Sequence, residues 1–190
     1  MNLEAKAATE DAAYDDKLAE LGIPIVYVDF REAPLEHTTP SMRLIGRLLG
    51  EEERAEAFID YSQAQMARVT ETIETADPQR PRVFIDRAGG YTDDCCMSFG
   101  PGNFGKYVEL AGGTNIADGI IPNTFGRLNP EQIIAADPQQ VVVTGGHWDA
   151  YVPGGDWVGV GPGADLAAAR TKLEGLTERT AMAGIDAVQT

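Results

Sequence analysis

The chain has 190 residues, 43% of them hydrophobic, and a formal net charge of −15. That length suits one domain with a sizeable core, or one domain and part of another. The charge argues against a nucleic-acid partner, whose phosphates demand Lys/Arg-rich surfaces, and no apolar run approaches the roughly 20 residues a bilayer crossing needs, so membrane insertion is not expected. The opening stretch, MNLEAKAATEDAAYDD, lacks the basic and apolar regions of a secretory signal, which by itself leaves the compartment open.

Residues 4–20 read as a helix that stops near Gly22, followed by a buried strand in IPIVYVDF. REAPLEHTTP reads as a loop, with Thr38 or Thr39 capping the next helix and Pro40 in its first turn. From Ser41 to about Ala76, Leu44, Leu48, Ala55, Phe58, Ile59, Met66, Val69 and Ile73 recur at helical spacing, interrupted at Gly50. The second piece, Glu51–Ala76, would be roughly 39 Å long, more than an ordinary crossover helix needs.

DPQRP breaks that helix, and RVFID reads as a strand. A helix is expected from Phe104 to Ala111, closed by Gly112-Gly113, then a short strand in TNIAD and a loop in GIIPNTFGRL. Asn129 should cap a helix with Pro130 at its first position, and QQVVVTGG forms the next buried strand. A long Gly/Pro-rich loop, HWDAYVPGGDWVGVGPGA, leads to a last helix over Asp165–Glu174. This alternation implies an α/β fold with a central, mostly parallel sheet. Ligands collect at the carboxyl ends of such strands, here the loops after Asp86, Asp118 and Thr144.

The stretch DDCCMSFGPGNFG carries the most ambiguous chemistry. Gly100, Gly102 and Gly105 fit G-x-G-x-x-G, so a Rossmann-like enzyme with a nucleotide at this turn is the rival reading. Against it, about a dozen residues separate the Asp86 strand end from Gly100, and Pro101 sits inside the turn. Glycines that let a loop turn tightly into a helix explain the spacing as well. Cys95 and Cys96 are open to two readings, a vicinal disulfide or two packed thiols. His37 and His147 are the only histidines and show no carboxylate pattern or zinc spacing, so no protein metal site is expected. Asp93, Asp94, Asp149 and Asp156 read as solvated loop acids, and no nucleophile-and-base arrangement appears.

Binding is what remains. Tyr91, Phe99, Phe125, Trp148, Tyr151 and Trp157 fall on rim loops with Arg87, Asn103 and Asn123. Aromatic walls with a few fixed polar groups suit a bulky, partly flat ligand. Arg87 either holds an anionic group or pairs locally with Asp86 or Asp93, and each aromatic taken alone fits core packing equally well.

In order along the chain, LGIPIVYVDF, the long helix, RVFIDRAGG, CCMSFGPGNFG, LAGGTNIAD and LNPEQIIAADPQQVVVTGG resemble the substrate-binding proteins of ABC importers for iron–siderophore complexes, haem and cobalamin. The resemblance implies a periplasmic or lipid-anchored receptor, not an enzyme, whose two α/β lobes are bridged by a long helix and close on cargo. Residues 1–37 would then be a remnant of the amino-terminal lobe, 38–77 the bridge, and 78–190 a Rossmann-like carboxyl-terminal lobe. The tail LTERTAMAGIDAVQT departs from the family, so this lobe is expected to lack its end. The implied cargo is a ferric-siderophore-like chelate that supplies its own metal ligands, with no resident cofactor. The implied partner is a membrane permease, met by Glu131, although a first-turn helix acid needs no partner. With one lobe incomplete, weak or absent binding is expected, and a homodimer through the exposed cleft face would restore some shielding.

Overall fold

The computed structural model describes residues 6, 10, 13–91, 95–179 and 182–189, which fall into two units, Met1–Thr72 and Ile73–Thr190. The expected first helix lies partly outside the described residues; its described portion is α1 (Tyr14–Glu20). The Tyr27 hydroxyl donates to both carboxylate oxygens of Asp15, at 2.9 and 2.8 Å, tying α1 to the segment that follows.

That segment corrects the first expected strand. IPIVYVDF has no regular structure beyond an isolated bridge at Val28. Among the described residues the strands all lie between Arg82 and Val143, so this apolar run joins no ladder of neighbours. β-propensity reflects fit to a pleated surface, and without that surface it forms nothing.

The next helix also starts earlier than expected. α2 spans Pro34–Leu49, so Thr38 and Thr39 are not caps and Pro40 lies in the helix interior. Pro34 occupies the first turn, where a missing N–H is harmless, while Pro40 removes the bond to the Glu36 carbonyl. Ahead of the helix, the Asp29 carboxylate accepts from the backbone N–H groups of Arg31, Glu32 and Ala33 at 2.8, 2.9 and 3.1 Å. That turn sets the chain direction before Thr38 is reached. Gly50 ends α2 in the left-handed region at φ 68°, as the interruption in the helical pattern anticipates.

α3 (Glu52–Ala76) has 25 residues, about 38 Å of helix. It approaches α2 closely at Gly46, where a Cβ would fall 2.6 Å from the Ala55 Cβ. Arg43 straps the same pair, its Nε and Nη2 donating to the Glu56 carboxylate at 2.7 and 3.0 Å.

In the second unit β1 (Arg82–Asp86) is the centre of a parallel sheet ordered β3-β1-β5, with β3 at Thr114–Asn115 and β5 at Gln140–Val143. Period-two alternation splits β1 between two cores. Phe84 packs with Ile121, Leu128, Ile133, Met182 and Ile185 on one side, while Val83 and Ile85 pack with Phe99 and Val108 on the other. Phe84 is fully buried, a contribution of roughly 1.5–3 kcal/mol for a side chain of this kind. Met182 and Ile185 of the tail that departs from the family are part of this core.

A second sheet was not anticipated. β2 (Met97–Phe99) pairs antiparallel with β4 (Phe125–Arg127), converting parts of two expected loops into a small ribbon. Both strands have three residues, too short for a periodic pattern to show.

Of the remaining helices, two carry side-chain caps. α4 is Phe104–Leu110, and α5 (Pro130–Ala136) starts with the Asn129 side chain accepting from the Glu131 N–H at 3.2 Å and Gln132 closing a capping box. α6 (Leu166–Thr177) is capped by Asp165 and runs past Glu174; α7 (Asp186–Gln189) follows. Among the described residues no helix is long and apolar enough to cross a membrane.

Candidate functional site

The carboxyl end of β1 delivers the chain into a tight turn at residues 87–91, and the candidate residues gather around it. Thr144 ties this turn to the end of β5: its N–H donates to the Asp86 carbonyl at 3.0 Å, and its hydroxyl accepts from the Ala88 N–H at 2.8 Å. On one side the Arg87 N–H donates to the Met97 carbonyl at 2.8 Å, joining the turn to the β2–β4 ribbon. In that ribbon Phe99 stands directly opposite Phe125. The Arg87 guanidinium carbon lies 4.4 Å from the Phe125 ring centroid and 5.8 Å from that of Phe99. This is a cation–π arrangement, with Phe99 buried in the core and Phe125 38% exposed as the outward face.

On the other side Tyr91 meets Trp148 edge-to-face, with ring centroids 5.3 Å apart. Next to Tyr91, Gly90, at φ 81°, presses against the Asp156 carbonyl and the Trp157 backbone, a position where no Cβ fits. Trp157 in turn lies over Gly155, whose Cβ would stand 2.5 Å from the indole. One short turn thus brings together Arg87, Tyr91, Phe99, Phe125, Trp148 and the Trp157 backbone. Asn103 is placed differently: it is buried at the amino end of α4, next to Phe104, whose ring centroid is 5.1 Å from that of Phe99.

Beside Trp157 opens a cavity of about 380 Å³, bounded by His147, Val160, Pro162, Asp165 and Lys172. Asp156 is an exposed loop acid, as expected, and Lys172 Nζ contacts it at 2.6 Å and holds its carboxyl below the ordinary range. Asp149 accepts weakly from the Gly154 N–H at 3.5 Å. Asp93 and Asp94 lie outside the described residues. Asp86, at the strand end, is buried, and burial pushes its pKa up to about 6 against a partial offset from the charge of Arg179.

In the glycine-rich turn the chain packs closely against itself. A Cβ at Gly100 would collide with the carbonyls of Asn123 and Ile121, and one at Gly105 would strike the Gly100 carbonyl. These contacts account for both glycines by the tight turn into the helix. Asn115 completes the packing, donating to the Phe99 and Gly100 carbonyls at 2.8 and 3.2 Å. Cys95 and Cys96 are joined as a vicinal disulfide, with Cys96 in the main core. Glu131 is exposed in the first turn of α5.

The sequence reading missed one arrangement in the first unit. His37 does have a carboxylate partner: Asp29 Oδ2 lies 2.6 Å from its Nδ1. The signal was available, an aspartate and a histidine flanking a helix start eight positions apart, but it emerges only once Pro34 rather than Pro40 begins the helix. Among the described residues no group of three or more His, Cys, Asp or Glu could hold a metal ion.

A family model described as periplasmic binding protein matches residues 5–190. Two strains of Halobacterium salinarum each have a protein described as a cobalamin-binding protein that is 33% identical to this chain over 132 residues, covering 68% of it. The chain spans only 33% of the length of these relatives. Among solved structures, the TroA-like periplasmic binding protein FepB from Veillonella parvula superposes with a TM-score of 0.79 at 23% identity, over 100% of this chain and 53% of that one. A periplasmic haem-binding protein from Pseudomonas aeruginosa superposes with a TM-score of 0.58 at 24% identity, covering 90% of this chain and 54% of its own. These likenesses establish the fold anticipated from the ordered motifs.

Proposed function

The chain belongs to the periplasmic binding protein family, and on that premise we propose that it acts in an ABC importer as the substrate-binding component, holding a bulky metal chelate and passing it unchanged to a permease. The observation that carries this reading is the cluster around residues 87–91. A cation near two phenyl rings, with Tyr91 of the same turn packed on Trp148, offers apolar area and positive charge to a large, partly flat, anionic cargo. None of these groups needs to react.

A corrinoid is the first cargo to test, because the 33% identical relatives are described as cobalamin-binding. A ferric siderophore is the second, favoured by Arg87, which suits a negatively charged chelate. In this reading Glu131, exposed on α5, docks on basic residues of the permease, an electrostatic contact weakened by salt. Residues 38–77 serve as a bridge between lobes, and the receptor works outside the cytoplasmic membrane.

Calorimetric titration of the chain with cyanocobalamin, a ferric tricatecholate and NADH tests the proposal. Saturable binding of one of the chelates is expected, with none of NADH. Saturable NADH binding without chelate binding would replace this reading with the nucleotide one.

A further inference from the structure

We propose that the cavity beside Trp157 is a subsite for a flat, uncharged heteroaromatic ring projecting from the cargo, whose body rests on the 87–91 turn. All the residues involved belong to the second unit. At about 380 Å³ the cavity lies near the lower end of the range of small-molecule pockets, roughly 300–1,000 Å³. It admits a fused ring pair and excludes a whole macrocyclic chelate.

Small residues make the space. Gly159, Gly161 and Gly163 line the loop side, and α6 lines the other with Ala168 and Lys172, four positions apart and so on one helix face. Trp157 is the one large aromatic side chain in the wall. Its indole is half-buried and backed by Gly155, where a Cβ would stand 2.5 Å from the ring. A guest ring can lie offset on such a surface, an arrangement that aromatic pairs prefer.

The formal charges at the cavity already have partners, which selects an uncharged guest. Lys172 Nζ pairs with Asp156 at 2.6 Å, and Asp165 caps α6, its Oδ1 accepting from the N–H groups of Ala167 and Ala168 at 2.9 and 3.2 Å. A charged guest would compete with these contacts, whereas a neutral ring leaves them in place. An ammonium carries three donors, of which Asp156 engages one, so Lys172 can also donate to a ring nitrogen. The wall and the cargo turn touch directly, because Gly90 lies against the Asp156 carbonyl and the Trp157 backbone. The segment carrying the indole thus braces the turn under the body of the cargo. Such a subsite separates the two candidate cargoes. The rings of a tricatecholate are bound to iron through charged oxygens, whereas the benzimidazole of cobalamin is neutral and projects from the corrin.

The inference rests on the chelate-receptor reading, and the experiment separates the two. Cyanocobalamin and dicyanocobinamide, which has the corrin but lacks the benzimidazole, are titrated by calorimetry into wild-type protein and Ala168→Phe. Ala168 is exposed on α6, the larger side chain occupies the cavity, and far-UV circular dichroism checks that the fold is retained. Wild-type protein is expected to bind cyanocobalamin about tenfold more tightly than dicyanocobinamide, and Ala168→Phe to remove the difference by weakening only the former. The amide shifts of Gly155, Trp157 and Gly159 should move with cyanocobalamin and stay fixed with dicyanocobinamide. Equal wild-type affinity for the two corrinoids, equal movement of those amides, an equal loss for both in the variant, or binding of the ferric tricatecholate alone overturns the subsite and leaves the receptor reading standing. Absence of heat with all three overturns both.

Discussion

Two buried aspartates end apolar runs of similar make-up, Asp29 after Tyr27-Val28 and Asp86 after Phe84-Ile85, and the molecule treats them in opposite ways. Asp29 sits where the chain turns into α2. Burial works against its charge, but the N–H groups of Arg31, Glu32 and Ala33 and the His37 imidazole hold its carboxyl well below the usual range. Asp86 ends a central strand whose backbone bonds are satisfied by the neighbouring strands, leaving few donors to face its side chain. Burial dominates there, and the pKa rises to about 6. Both side chains are shielded from solvent, but Asp86 lies deeper, and depth together with the supply of donors decides the charge.

The contrast can be broken most forcefully at Asp29. Replacing it with Ala should cost about 3–5 kcal/mol in urea denaturation, because buried N–H groups lose their acceptor. With its pKa lowered, the Asp29 contribution is fully present above the unfolded value near 3.9 and is lost as pH falls toward the lowered folded value. A variant as stable as the wild type would mean that these bonds do not hold the turn.

Asp86 should respond with the opposite sign. Its raised pKa means that stability is greatest below the unfolded value near 3.9 and declines as pH rises to about 6, by roughly 3 kcal/mol for that displacement. Asp86→Asn should therefore raise stability at pH 7 by up to about that amount and flatten the profile between pH 4 and 6. Unchanged pH dependence in the variant would show that Asp86 is not the group responsible.

A third position separates acceptance of N–H bonds from burial of charge. Asn129 also accepts from a helix amino end, but it is neutral and exposed. Asn129→Ala should cost about 1 kcal/mol with no pH dependence, measured in the same denaturation series. A loss as large as that at Asp29 would remove the distinction between the two kinds of cap.

The same physics explains what was legible in the sequence. The start of α5 could be read directly, since Asn129, Pro130 and Gln132 act on the chain within a few residues of themselves. RVFID was legible as a strand because burial on both faces leaves an unbroken apolar run, whereas QQVVV, expected to be buried, is an edge strand with Val142 exposed and was legible through its β-branched residues alone. IPIVYVDF carries the same signal and fails as a strand, because pairing depends on distant partners that no local pattern records. The turn at Asp29 was misread for a related reason. Pro34 and Pro40 are equally good first-turn residues, and only the closure of Asp29 onto Arg31, Glu32 and Ala33 selects between them. Of the candidate site, the aromatic residues were legible as a rim population. The contacts of Arg87 with Phe125 and of Tyr91 with Trp148 depend on the β2–β4 ribbon and the 144–157 loop, which place them only in the folded chain.

The central claim is that cargo rests on the residues around the 87–91 turn, and amide chemical shifts recorded while cyanocobalamin is added test it most directly. The account predicts that the largest changes in the second unit fall on Arg87, Tyr91, Phe125 and Trp148. Changes confined instead to the hollow formed by Val141, Leu173, Leu176 and Val188 would contradict it.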